Sequence, residues 1–194
     1  RERYDVSVLV RRRAEGDLGS CVEILAEVHR HSGYPVNWPQ NPAGWLTPEA
    51  LLASWVAERD GQVVGHIALS RADGGDVAAG LWAARTGTGI ERTAVVGRLF
   101  VSPAAHGLGL GAALMEQAVA EARTRGLHPV LDVVTSNTAA TALYERLGWE
   151  LLDVVRERWR PDQVVTLGCY AAPADAGCPA TLAQPCPCCS GTHV

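Results

Sequence analysis

Residues Val101-Ser102-Pro103-Ala104-Ala105-His106-Gly107-Leu108-Gly109-Leu110-Gly111 place a glycine-rich turn between an apolar, strand-like run (93–101) and a helix-like run (110–125). A turn of that kind leaves backbone N–H groups unpaired at the positive end of a helix dipole, which makes an anion site suited to phosphate. Glycine matters there because a Cβ would hold a ligand away from the backbone and would disfavour positive φ. The sequence therefore predicts a phosphorylated ligand at 106–111, held by a strand–turn–helix unit of an α/β chain.

The chain has 194 residues, enough for one domain with a substantial core. No apolar run approaches the roughly 20 residues of a membrane-spanning helix. The start, Arg1-Glu2-Arg3-Tyr4-Asp5, has no secretory apolar segment. Net charge is −4, and the longest basic run is Arg11-Arg12-Arg13, so no nucleic-acid or membrane partner is expected. All 17 basic residues are arginine, so the chain has no lysine of its own to acylate. Of the six cysteines, Cys21 and Cys169 read as small core residues, and Cys178, Cys186, Cys188 and Cys189 fall near the C-terminus. With no disulfide framework in the body, a cytoplasmic enzyme is expected.

Residues 4–12 read as a strand and 17–31 as a helix with Asp17 as N-cap and Gly33 as stop. The Pro- and Trp-rich segment 34–45 is expected to be irregular. Thr47-Pro48-Glu49-Ala50 reads as a helix start running to about Ser54. A hairpin around Asp60-Gly61 follows, then a loop over 72–91. Beyond the glycine turn come a helix ended by Gly126, a strand over 128–135, a short helix over 137–147 and a closing hairpin. From Pro173 on, composition shifts to Pro, Ala and Cys; residues 1–172 are expected to form the domain and 173–194 a disordered tail. Cys178, Cys186, Cys188, Cys189 and His193 lack zinc-site spacing, and no metal is expected.

Gly107-x-Gly109-x-x-Ala112 also fits a dinucleotide fingerprint with Asp132 as ribose ligand. The context is wrong for it: residues 102–106 separate strand from glycine, and too little chain follows for a doubly wound sheet. Three linked pieces instead resemble the GNAT superfamily of acetyl-CoA-dependent N-acetyltransferases. They are Leu99-Phe100-Val101-x-Pro103 with His106 to Gly111; Leu131-Asp132-Val133 followed by Asn137; and Ala140 with Leu143-Tyr144-Glu145-Arg146-Leu147-Gly148-Trp149. His106 stands where the family usually has Arg or Gln. The resemblance implies a mixed, mostly antiparallel central sheet flanked by helices, with two parallel strands splayed around the cofactor.

What the resemblance implies for chemistry follows residue by residue. Backbone groups of Leu99, Phe100 and Val101 would pair with the pantetheine arm. His106, Gly107, Leu108, Gly109, Leu110 and Gly111 would hold pyrophosphate, and Asn137 the cofactor arm. Tyr144 would be the general acid for the departing thiolate, since a tyrosine stays protonated at neutral pH. Asp132, twelve residues before it, matches the base of N-terminal acetyltransferases acting on ribosomal proteins; Glu91, His66 or water are the alternatives. Read without the resemblance, Tyr144 is a core tyrosine, Asn137 a helix N-cap and Asp132 a hydrogen-bonded strand carboxylate. Trp38 and Trp45 would either hold a cationic amine or pack as a lid. The expected activity is direct acetyl transfer to a small-molecule amine without an acyl-enzyme. A protein or N-terminal acetyltransferase and a non-catalytic acyl-CoA-binding regulator are the alternatives, and monomer and homodimer both stay open.

Overall fold

The computed structural model describes residues 7–174, so the expected tail beyond residue 174, with its four cysteines, lies outside the described residues. Seven strands form one sheet: β1 (Val8–Arg12), β2 (Leu51–Arg59), β3 (Gln62–Arg71), β4 (Thr93–Val101), β5 (His128–Val134), β6 (Glu150–Arg160) and β7 (Gln163–Ala171), in the spatial order β1-β2-β3-β4-β5-β7-β6. All neighbours are antiparallel except β4 and β5. Five α-helices accompany it: α1 (Leu18–Ser32), α2 (Pro42–Trp45), α3 (Val77–Thr86), α4 (Leu110–Thr124) and α5 (Thr138–Arg146). Among the described residues, no helix is long and apolar enough to cross a membrane.

Side chains alternate across the strands and so build a core on each face. Trp55, Ala57, Ile67, Leu69, Leu131 and Val133 meet Leu114, Met115 and Ala118 of α4 and Tyr144 of α5. On the other face Val56 and Phe100 pack against Cys21, Ile24 and Leu25 of α1, while Val130, Leu167 and Cys169 pack against Ala78 and Ala79 of α3. Cys21 and Cys169 are fully buried and free, as small core residues.

Three expectations are corrected. The expected helix 47–54 ends before it starts. The Thr47 hydroxyl bonds back to the Ala43 carbonyl (2.8 Å), and β2 begins at Leu51 because its residues pair with β3 through Ala53↔Leu69 and Trp55↔Ile67. The Pro-rich segment holds one helical turn, α2, capped by Asn41 accepting from the Gly44 amide (3.0 Å). The expected loop 72–91 contains α3, whose Ala78 amide donates to the Asp132 carboxylate on β5 (3.0 Å). That cap comes from a residue 54 positions away, so no local signal announces the helix.

A buried histidine, His66, and a half-buried one, His128, are expected to make the fold acid-sensitive. His66 and His128 are both held down near pKa 4, chiefly because burial penalises the charged ring. The unfolded chain takes up these protons near pH 6.5 and the folded chain only near pH 4. Between those limits the unfolded state binds more protons, so stability falls as pH falls. Asp76 and Asp132, whose carboxyls burial pushes up, act with the opposite sign and offset part of the loss. Thermal melts from about pH 7 down to about pH 4.5 are expected to show a falling Tm, with a shallower slope in His128→Gln. A Tm flat across that range would contradict the assignment.

Candidate active site

The parallel pair β4–β5 comes apart. Pairing runs only through Thr93↔His128, Ala94↔Pro129 and Val95↔Val130, although β4 continues to Val101 and β5 to Val134. Beyond Val95 the β5-facing edge of β4 has no strand partner, which leaves backbone groups able to pair with an extended ligand.

A bulge in β4 marks the start of this opening. Ala68 pairs with Gly97 and His66 with Phe100, so β4 carries one extra residue against β3. The extra residue reverses the side-chain alternation: Ala94 and Val96 face α4, but so do Leu99 and Val101, while Phe100 faces α1. Arg98 in the bulge has φ +53°, the left-handed region that non-glycine residues rarely occupy. His66 holds the bulge in place. The Arg13 guanidinium can only donate, so it donates to Nε2 (2.9 Å), and Nδ1–H therefore donates to the Arg98 carbonyl (2.8 Å). The ring stacks on Phe100 with centroids 5.1 Å apart.

The glycine turn lies just past β4. Gly107 and Gly109 have φ +81° and +73°, and Gly109 is the N-cap of α4 without a side-chain cap. The amides of Gly107, Leu108 and Gly109 donate no hydrogen bond among the described residues, and those of Leu110, Gly111 and Ala112 fall in the helix's first turn. A cradle of consecutive unpaired N–H groups results. Gly111 is there for a different reason: a Cβ would meet Leu143 Cδ2 of α5 at 3.2 Å. His106 turns its ring back to donate from Nε2 to the Val101 carbonyl (3.1 Å). A cavity of about 500 Å³ lies beside this loop, lined by Gly109, Ala112, Glu116 and Trp149. The opening itself is defined by unpaired backbone, which an empty volume does not register.

Tyr144 lies on α5, in the core on the α4 face of the sheet. It is only 7% exposed, with Trp149 and Tyr170 rings each 6.1 Å from its own. Its hydroxyl has no hydrogen-bond partner among the described residues. The only sealed, unpartnered side-chain polar atom among them is Nδ1 of His29, so the Tyr144 hydroxyl touches solvent. Burial, and then the nearness of Tyr34, hold its pKa well above the ordinary tyrosine value. Tyr34 packs with α1 on the opposite face of the sheet.

The sequence model of the acetyltransferase (GNAT) family matches residues 20–149. The chain belongs to the GNAT acetyltransferase family. Solved structures agree in fold. The ribosomal-protein-S18-alanine N-acetyltransferase from Escherichia coli is 21% identical over 86% of this chain and 94% of that chain, with a TM-score of 0.62. An N-acetyltransferase from Staphylococcus aureus Mu50 is 18% identical over 85% and 97%, with a TM-score of 0.67. A GNAT acetyltransferase from Brucella melitensis, solved with acetyl-CoA, is 24% identical over 87% and 90%, with a TM-score of 0.56. No curated protein matches the sequence.

Within this GNAT fold the remaining candidates separate. Asn137 caps α5, its Oδ1 accepting from the Ala140 amide (3.2 Å). Its side-chain amide keeps its donors for another partner. Asp132 points to the α3 face, opposite Tyr144, where it caps α3 and where burial raises its carboxyl pKa. His66 is fully buried with both ring nitrogens engaged and a pKa near 4, a poor acceptor for a substrate proton. Glu91 is exposed in the short turn before β4, at the end of the strand away from the bulge. Trp45 already carries Arg98 over its ring (3.9 Å), and Trp38 packs on His29 (5.2 Å). The sequence reading missed Tyr34, Asp76 and Arg98. A signal existed for Arg98, the one charged residue in an otherwise uncharged strand.

Proposed function

We propose that this acetyltransferase moves an acetyl group from acetyl-CoA directly to a primary amine of a small molecule, with transfer taking place in the β4–β5 opening. The observation that carries the reading is the parting of β4 from β5 beyond Val95, with the amide cradle of 107–112 just past the end of that free edge. The cradle fits pyrophosphate, because its N–H groups are unpaired and its glycine backbone is free of Cβ atoms at 107 and 109. The edge formed by Leu99, Phe100 and Val101 fits an extended pantetheine arm, and the amide of Asn137's side chain would donate to that arm. Residues 1–172 are the unit assigned to this work.

Tyr144 is assigned as general acid. A tyrosine hydroxyl is protonated at neutral pH and can donate as the sulfur leaves with negative charge, and no group among the described residues competes for that proton. Asp132 is assigned as base, its desolvated carboxyl being a better acceptor than an exposed one. An acyl-enzyme finds no support in the described residues. There is no lysine, and burial pushes the Cys21 thiol up to about 11 and the Cys169 thiol higher still.

Thiol release from acetyl-CoA across a panel of amines tests the reading. Turnover with small primary amines is expected; tight acetyl-CoA binding without release for any amine would reject it. Asp132→Asn tests the base. Asparagine can still accept from the Ala78 amide, so the cap on α3 persists while the charge is gone. The low-pH limb of kcat/KM should change, with partial recovery at high pH where more amine is already neutral. An unaltered profile would move the base role to water.

A further inference from the structure

Arg98 combines three costs at one residue. Its backbone occupies the left-handed region, its side chain is half-buried, and no carboxylate among the described residues forms an ion pair with it. Nε donates to the Trp45 carbonyl (3.2 Å) and one face of the guanidinium lies over the Trp45 ring (3.9 Å). Those contacts fix the plane but leave the terminal nitrogens unused. Their four N–H groups have no partner among the described residues, yet they are not sealed from solvent. A planar donor fork with its orientation set and its outer edge free is the geometry that receives a carboxylate.

The surroundings point the same way. Asp76 immediately precedes α3, Asp132 caps that helix from β5 through the Ala78 amide, and α3 packs against both β5 and the strand that carries Arg98. Neither aspartate has an ion-pair partner among the described residues; each accepts one backbone hydrogen bond, from Asp73 (2.7 Å) and Ala78 (3.0 Å) respectively. A fixed cation on β4 and two carboxylates at the start of α3 therefore share the α1–α3 face of the sheet. That pattern complements a ligand carrying both signs of charge.

We propose that Arg98 anchors an anionic group of the acceptor, and that the preferred acceptors are amino acids, with the carboxylate on Arg98 and the amine toward Asp76 and Asp132. This rests on the reading that a small-molecule amine is acetylated in the opening. It separates amino acids from plain alkylamines and from peptide N-termini, in which the carboxylate is replaced by an amide.

The test compares kcat/KM for amino acids, their α-amides and the matching decarboxylated amines, in the wild type, Arg98→Gln and Arg98→Lys. The wild type should prefer the free acid over its amide by roughly 10- to 100-fold, the value of one charge-assisted hydrogen-bonded pair. Arg98→Gln should bring that ratio near one, and Arg98→Lys should restore part of it. If Arg98 only braces Trp45, both variants would slow acid and amide alike and leave the ratio unchanged, which overturns the proposal. Turnover of amines without preference for the acid removes the anchor and leaves the transferase reading standing. Absence of turnover with every amine removes both.

Discussion

Tyr144→Phe is expected to lower kcat by about 10²-fold while leaving acetyl-CoA affinity and Tm close to wild type. The structure makes this a clean change. The ring packs between Trp149 and Tyr170, and phenylalanine keeps that packing. The hydroxyl has no partner among the described residues, so its removal strands no donor or acceptor there. What disappears is the proton proposed to go to the leaving sulfur. Tyr34→Phe is the control, because its ring packs with Trp45 and α1 on the other face of the sheet. A wild-type kcat in Tyr144→Phe with a deep loss in Tyr34→Phe would transfer the acid role to Tyr34.

The second large effect is at the cradle. Gly109→Val should weaken acetyl-CoA binding by roughly 10-fold or more, measured by titration calorimetry. A β-branched residue at φ +73° costs on the order of 1–2 kcal/mol and turns the flanking amides away from a common focus. The space around a Cβ at 109 is open, so the loss cannot come from a clash with the protein. Gly126→Val supplies the comparison. It has φ +71° and equally open surroundings, but lies at the far end of α4. It should lose similar stability and keep its affinity for acetyl-CoA. Gly111→Val is less informative, since its Cβ would press on Leu143 whether or not a ligand is present. Equal affinity in Gly109→Val and wild type would remove the loop as the pyrophosphate site.

These two predictions draw on residues that were legible in the sequence, and the reason is local. Gly107 and Gly109 state their backbone conformation by being glycine, and Asn137 caps the helix it directly precedes. Tyr144 and Asp132 were singled out through the spacing of a recognisable motif, and the fold adds that they face opposite sides of the sheet. What escaped was set by distant partners. Residues 72–91 read as a loop because α3 has little amphipathic pattern and takes its cap from β5. Residues 51–54 read as helix because Pro48-Glu49-Ala50 favours one locally, and cross-strand pairing with β3 overrules it. The bulge at Arg98 depends on a register shift and on His66, neither visible in β4 itself. Arg98 then acquires its surroundings from α2 and from the residue before α3, two segments whose approach no periodicity encodes.

The central claim is that acetyl-CoA occupies the parted β4–β5 edge with its pyrophosphate on the turn before α4. A crystal structure of the complex tests it most directly. The account predicts the pyrophosphate against the amides of residues 107–112, the pantetheine running along Leu99, Phe100 and Val101, and the thioester beside the Tyr144 hydroxyl. Acetyl-CoA bound away from the turn, or with β4 and β5 paired along their full length and the arm outside the sheet, would contradict it.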